Sequence, residues 1–127
     1  MFKNIITTCF FGLMAIVLGA FGAHALKGVL SPQELLSFET GVRYQMYHVI
    51  VLLFVNIYDG FSSLQKNRIS YIFFLGILLF SGSIYVISLT SISAKSIWFV
   101  TPLGGFTLIT GWFVMIVIFL KKQSKIR

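Results

Sequence analysis

Residues 4–26, 69–94 and 96–120 contain no Asp, Glu, Lys or Arg. Crossing the hydrocarbon core of a bilayer takes roughly 20 helical residues, and each of these runs is longer than that. Inside lipid every backbone N–H and C=O must be satisfied without water, so an isolated apolar run of this length has to be an α-helix. The composition agrees, with 57% hydrophobic residues, 10% charged residues and a mean hydropathy of +0.95. Soluble domains carry about a quarter charged residues, so this chain has too little polar surface to face water on all sides. The expected class is an all-α integral membrane protein.

A further span is expected over 44–63. Its uncharged run, 44–58, is short and includes His48 and Asn56, but VIVLLFVNIY (49–58) is intensely apolar. Arg43 and Asp59 flank it and can reach the two interfaces. Four spans, at about 5–26, 44–63, 69–90 and 98–120, place both termini on one side in a single membrane domain over 1–127. That side then holds Lys3, Lys66, Arg68, Lys121, Lys122, Lys125 and Arg127, whereas the other holds Lys27, Arg43 and Lys95. The excess of basic residues predicts cytoplasmic termini in a plasma (inner) membrane protein. The net charge of +7 is thereby accounted for by headgroups, and nucleic acid is excluded as a partner. Trp98, Tyr44 and Tyr47 are expected at the outer interface, and Tyr58 and Tyr71 at the inner one.

Local signals refine this plan. In SPQE (31–34) Ser31 can cap a helix, Pro32 suits its first position and Glu34 completes a capping box. The expectation is a short amphipathic helix at about 32–43 in the first outer loop. It either bends near Gly41 or runs on into the second span. Ala23-His24-Ala25 resembles a signal-peptidase site, but the preceding apolar run exceeds the usual h-region, so cleavage is not expected. Cys9 is the only cysteine and cannot form an intrachain disulfide.

Two sets of residues stand out. Small residues at Ala15, Gly19 and Ala23 recur every four positions, and Gly82, Gly104, Gly105 and Gly111 supply small surface in the later spans. Such residues let helix backbones approach closely in lipid. The second set is a candidate polar cluster of His24, Glu39, Arg43, Tyr44, Gln45, His48, Ser81, Ser83, Tyr85 and Thr101 near the outer face. Ionisable residues at membrane depth are costly and mark functional candidates. Glu39 and Arg43, spaced i,i+4, are instead expected to pair with each other. No metal, cofactor or catalytic constellation is expected, because no H-E-x-x-H, C-x-x-C, nucleophile–base or G-K-[ST] pattern is present.

GAFGAHALK (19–27), FETGVRYQMYH (38–48), FSGSIY (80–85), TPLGG (101–105) and GW (111–112) together resemble the domain-of-unknown-function 423 family of small four-helix membrane proteins. The resemblance covers nearly the whole chain in order, with Ala25 standing where the family often has glycine. It implies a membrane location and a four-helix bundle topology. It implies no activity, so it carries no catalytic role onto any residue. The motif positions, among them His24, Lys27, Thr40, Gly41, Pro102 and the cluster residues from Tyr44 to Thr101, fall mostly in the outer half of the expected bundle.

The function expected is non-enzymatic: an accessory, lipid-interacting or structural membrane component. Its expected partners are membrane lipids and either a second copy of itself or another membrane protein. Two alternatives are an oligomeric transporter of a small solute or ion, and a haem- or metal-binding redox protein using His24 and His48.

Overall fold

The computed structural model describes residues 2–126, and they form an all-α architecture. Four helices follow one another: α1 (Phe2–His24), α2 (Pro32–Ile57), α3 (Ser63–Leu89) and α4 (Val100–Ile126). Three of them, α1, α3 and α4, are long and apolar enough to cross a membrane, with mean hydropathies of 2.2, 2.3 and 2.2. Their outward faces carry large apolar side chains such as Phe10, Ile16, Leu78, Phe106 and Phe113, all exposed. Such faces suit a lipid solvent.

The capping signal in SPQE forms as the spacing predicts. The Glu34 N–H donates to the Ser31 hydroxyl at 3.3 Å, and the Ser31 N–H donates to the Glu34 carboxylate at 2.8 Å. The Ser31 side chain, and then its N–H, hold the Glu34 carboxyl below its ordinary 4.5. A second capping box opens α3, where Ser62 and Gln65 exchange the same two bonds at 3.3 and 3.0 Å. No separate outer-loop helix forms over 32–43. The helix begun at Pro32 runs unbroken to Ile57. Gly41 does not bend it, because Gly41 is buried and packed: a Cβ there would stand 3.3 Å from both Ile84 and Tyr85 of α3.

Packing follows chain order, α1 on α2, α2 on α3 and α3 on α4. The main core lies where α2, α3 and α4 meet, around Leu52, Val55, Ile69, Phe73, Ile77, Leu108 and Met115. Seam positions recur at alternating spacings of three and four. In α4 the buried residues are Gly104, Leu108, Gly111 and Met115, a pattern close to the 3.5-residue repeat of left-handed helix pairs. Gly104 makes the tightest approach. A Cβ on it would sit within 2.7 Å of the Phe80 Cα, so the α4 backbone lies directly against that of α3.

The same spacing corrects part of the expected small-residue stripe. Ala15 is buried and Gly19 faces Val42 at 3.3 Å, but Ala23 is exposed. Gly22 takes its place, against the Phe38 ring. A strict four-residue step drifts around an α-helix, and returning to the seam requires a step of three. Gly111 meets the Phe73 ring and Gly105 only grazes Phe80 at 3.7 Å. Gly82 has nothing within 4 Å and plays no part in the packing among the described residues.

Candidate functional site

Polar contacts tie the helices together around α2. The Gln45 amide donates to the Phe11 carbonyl of α1 at 2.7 Å, and its oxygen accepts from the Tyr85 hydroxyl of α3 at 2.7 Å. One buried side chain thus bridges three helices. Four residues earlier on α2, the Gly41 carbonyl accepts from the Ser81 hydroxyl at 2.6 Å. Between α3 and α4 the Ser83 and Thr101 hydroxyls are 2.6 Å apart.

His48 completes the set. Its Nδ1 lies 2.7 Å from the Tyr44 carbonyl and its Nε2 lies 3.2 Å from the Trp112 indole nitrogen. An indole N–H can only donate, so Nε2 must offer its lone pair and Nδ1 must carry the proton. His48 is therefore a neutral imidazole, buried at 5% exposure and packed against the Phe73 and Trp112 rings. Both ring nitrogens are thus engaged by protein groups.

The candidate cluster thus divides. Gln45, His48, Ser81, Ser83, Tyr85 and Thr101 are drawn into these contacts, and Tyr44 enters through its carbonyl. His24, Glu39 and Arg43 are exposed and take no part in them. His24 and His48 also do not share a depth. Gly22, just before His24, packs on Phe38, and the helix from Phe38 to His48 is about 15 Å long. A group ligated by both histidines is incompatible with this arrangement. Among the described residues no three His, Cys, Asp or Glu side chains converge as a metal site would require.

A second polar layer, at the end that holds the α1 N-terminus, was not foreseen from the sequence. The Asn4 amide donates to Asn67 at 2.8 Å. The Asn56 amide donates to the Leu52 carbonyl at 2.8 Å and to the Ser70 hydroxyl at 2.9 Å, while Lys66 Nζ donates to the Asn56 carbonyl at 2.9 Å. A cavity of 220 Å³ lies here, with Asn4, Asp59, Lys66 and Asn67 in its wall. The available signal was an asparagine at the apolar end of α2, which demands partners but does not name them. Among the described residues no buried side-chain nitrogen or oxygen is left without a hydrogen bond.

Comparison with known proteins gives one family. Residues 18–105 match the family described as "Protein of unknown function (DUF423)". The chain is 39% identical over 105 residues to a UPF0382 membrane protein of Staphylococcus haemolyticus, covering 83% of this chain and 84% of that one. It is 41% identical over 107 residues to the UPF0382 membrane protein YwdK of Bacillus subtilis, covering 83% and 85%. A UPF0382 membrane protein of a bovine Staphylococcus aureus strain is 41% identical over 105 residues, covering 83% and 84%. No solved structure matches.

Proposed function

Given that the chain belongs to the DUF423 family and that its relatives are membrane proteins, we propose that it is a four-span, non-enzymatic component of the plasma (inner) membrane with both termini in the cytoplasm. The observation that carries the non-enzymatic part is how the interior polar groups are used. Gln45, Ser81, Ser83, Tyr85 and Thr101 are spent on joining helices, and His48 is locked between Tyr44 and Trp112. Side chains so engaged hold a fold together. A reacting group needs a free lone pair or proton facing a substrate.

The fourth span is supported by the Asn4–Asn67 bond. It joins the N-terminal ends of α1 and α3, and the Phe11 and Phe74 rings stack seven residues further along each helix, so these two apolar helices start at one level and run in the same direction. A chain that leaves α1 at His24 must return across the membrane before Ser63. Helix α2, with 26 residues and a length of about 39 Å, is the segment that can do so. The orientation follows from the seven basic residues grouped with the termini against Lys27, Arg43 and Lys95 on the other side.

Topology is tested with Ser31→Cys and Ser124→Cys in a Cys9→Ser background, labelled in intact cells by an impermeant thiol reagent. Ser31→Cys reacts at once, and Ser124→Cys reacts only after permeabilisation. Labelling of both from the same side overturns the four-span reading. Solute flux in proteoliposomes that is lost in a folded Gln45→Leu variant overturns the accessory role in favour of transport.

A further inference from the structure

We propose that the cytoplasmic end of α4 holds one anionic phospholipid of the inner leaflet, with its headgroup at Lys122 and Lys125 and an acyl chain along Phe119, Ile116 and Trp112. The proposal rests on the four-span reading, which makes this end cytoplasmic. Two adjoining open grooves on the surface form the site. One, of 310 Å³, is walled by Trp112, Ile116, Phe119 and their neighbours. The other, of 510 Å³, is walled by Tyr58, Phe119, Lys122 and Lys125. Phe119 and Gln123 belong to both, so the apolar groove opens directly onto the lysines.

Three features fit a lipid of this kind. The first is length. Trp112 to Lys122 spans about 15 Å of helix, which is half of a hydrocarbon core about 30 Å thick. A chain lying beside a headgroup on Lys122 therefore ends near Trp112 at mid-membrane. The second is the fixed position of the cation. Lys122 Nζ stands 5.9 Å from the Tyr58 ring centre and 5.7 Å from the Phe61 ring centre, and the side chain is half-buried against them. Cation–π contacts hold the ammonium at the lip of the groove instead of leaving it to wander in the headgroups. The third is charge. Lys121, Lys122 and Lys125 cluster on α4, while Asp59, the acid of this side, lies in the separate cavity beside Lys66. The excess favours phosphatidylglycerol-like lipid over zwitterionic lipid in a leaflet that is itself anionic.

Trp112 reports on the site. In Trp98→Phe protein Trp112 is the one remaining tryptophan, since the chain has two. This protein is reconstituted in phosphatidylcholine vesicles containing increasing amounts of either phosphatidylglycerol or phosphatidylcholine with brominated acyl chains, which quench tryptophan on contact. Brominated phosphatidylglycerol is expected to quench at lower mole fraction, by about fivefold for each contributing lysine. Lys122→Gln/Lys125→Gln brings the two curves together, and Lys122→Arg/Lys125→Arg keeps them apart. Coincident curves in the Trp98→Phe protein, or a preference that survives Lys122→Gln/Lys125→Gln, overturn the proposal. The cysteine labelling in cells reads topology independently. Coincident curves with Ser31 and Ser124 on opposite faces therefore remove the lipid site and leave the four-span reading standing.

Discussion

Replacing Gln45 with leucine removes the one side chain that, among the described residues, hydrogen-bonds to two other helices at once. Leucine is close to glutamine in size, so the change deletes hydrogen bonds without opening a large cavity. Two bonds go, to the Phe11 carbonyl and from the Tyr85 hydroxyl, both at 2.7 Å. Interhelical side-chain bonds in membrane proteins contribute about 0.6 kcal/mol each and up to about 1.7. The Phe11 carbonyl keeps its own helical donor, so its loss is the cheaper one. The Tyr85 hydroxyl is stranded in a place where an unmade bond costs about 1–3 kcal/mol. The expected destabilisation for Gln45→Leu is thus about 1.5–3 kcal/mol. Tyr85→Phe strands the Gln45 oxygen and costs about 1 kcal/mol. The double variant strands neither, so it costs less than the sum of the singles by about 0.6–1.7 kcal/mol. Reversible unfolding in mixed dodecyl sulfate micelles, followed by far-ultraviolet circular dichroism, measures all three. Strict additivity, or a Gln45→Leu variant as stable as the parent, would refute the bridging role.

Other outcomes follow from single contacts. Gly104→Ala pushes a Cβ into the Phe80 backbone and costs about 1–3 kcal/mol in the same unfolding assay, while Gly82→Ala, with open space around it, is neutral or stabilising by up to about 1 kcal/mol. Nitrogen-15 NMR of the histidine rings shows His48 protonated at Nδ1 and bare at Nε2; a proton on Nε2 contradicts the Trp112 contact. The Glu34 carboxyl is held below its ordinary 4.5, so its contribution is complete above that value and is lost as the pH falls through the lowered one. Hydrogen-exchange protection at the first turn of α2, taken relative to the intrinsic rate at each pH, therefore falls on acidification in the parent and stays flat in Glu34→Gln, which keeps the capping geometry without the titration.

The parts of this molecule legible from sequence are those whose cause is local. The three charge-free runs announced α1, α3 and α4 because a long apolar run has one stable conformation in lipid. Ser31, Pro32 and Glu34 announced the start of α2 because the capping box closes within four residues. The glycines were legible as close-packing surface, but the choice between Gly22 and Ala23 depends on the rotation of α1 against Phe38, which no local pattern encodes. The polar cluster was half legible for the same reason. Gln45, His48, Ser81, Ser83, Tyr85 and Thr101 were identified as polar residues at membrane depth, where each must find a partner. Trp112 was not, because an indole in an apolar helix reads as an interface or core residue until His48 is placed opposite its N–H.

Helix α2 shows why hydropathy alone understates this architecture. It is the least apolar of the four helices and is not among the three long apolar candidates, because Gln45, His48 and Asn56 dilute its sequence. Yet these three are among its buried residues, at 3%, 5% and 5% exposure. These polar side chains lie on the packed face of α2, whereas Tyr47, Ile50, Phe54 and Ile57 cover its exposed face, so the polar groups are solvated by protein and not by hydrocarbon. Their transfer cost is then set by the Phe11 carbonyl, the Tyr85 and Ser70 hydroxyls and the Trp112 indole, all of which are supplied by neighbouring helices. The consequence is an order of assembly. Helices α1, α3 and α4 are long and apolar enough to cross a membrane, and under the four-span proposal α2 gains its stability there from α1 and α3. A variant that weakens the Gln45 bridge should accordingly expose α2 first, and faster hydrogen exchange confined to residues 38–57 with α3 and α4 still protected is the pattern it should leave.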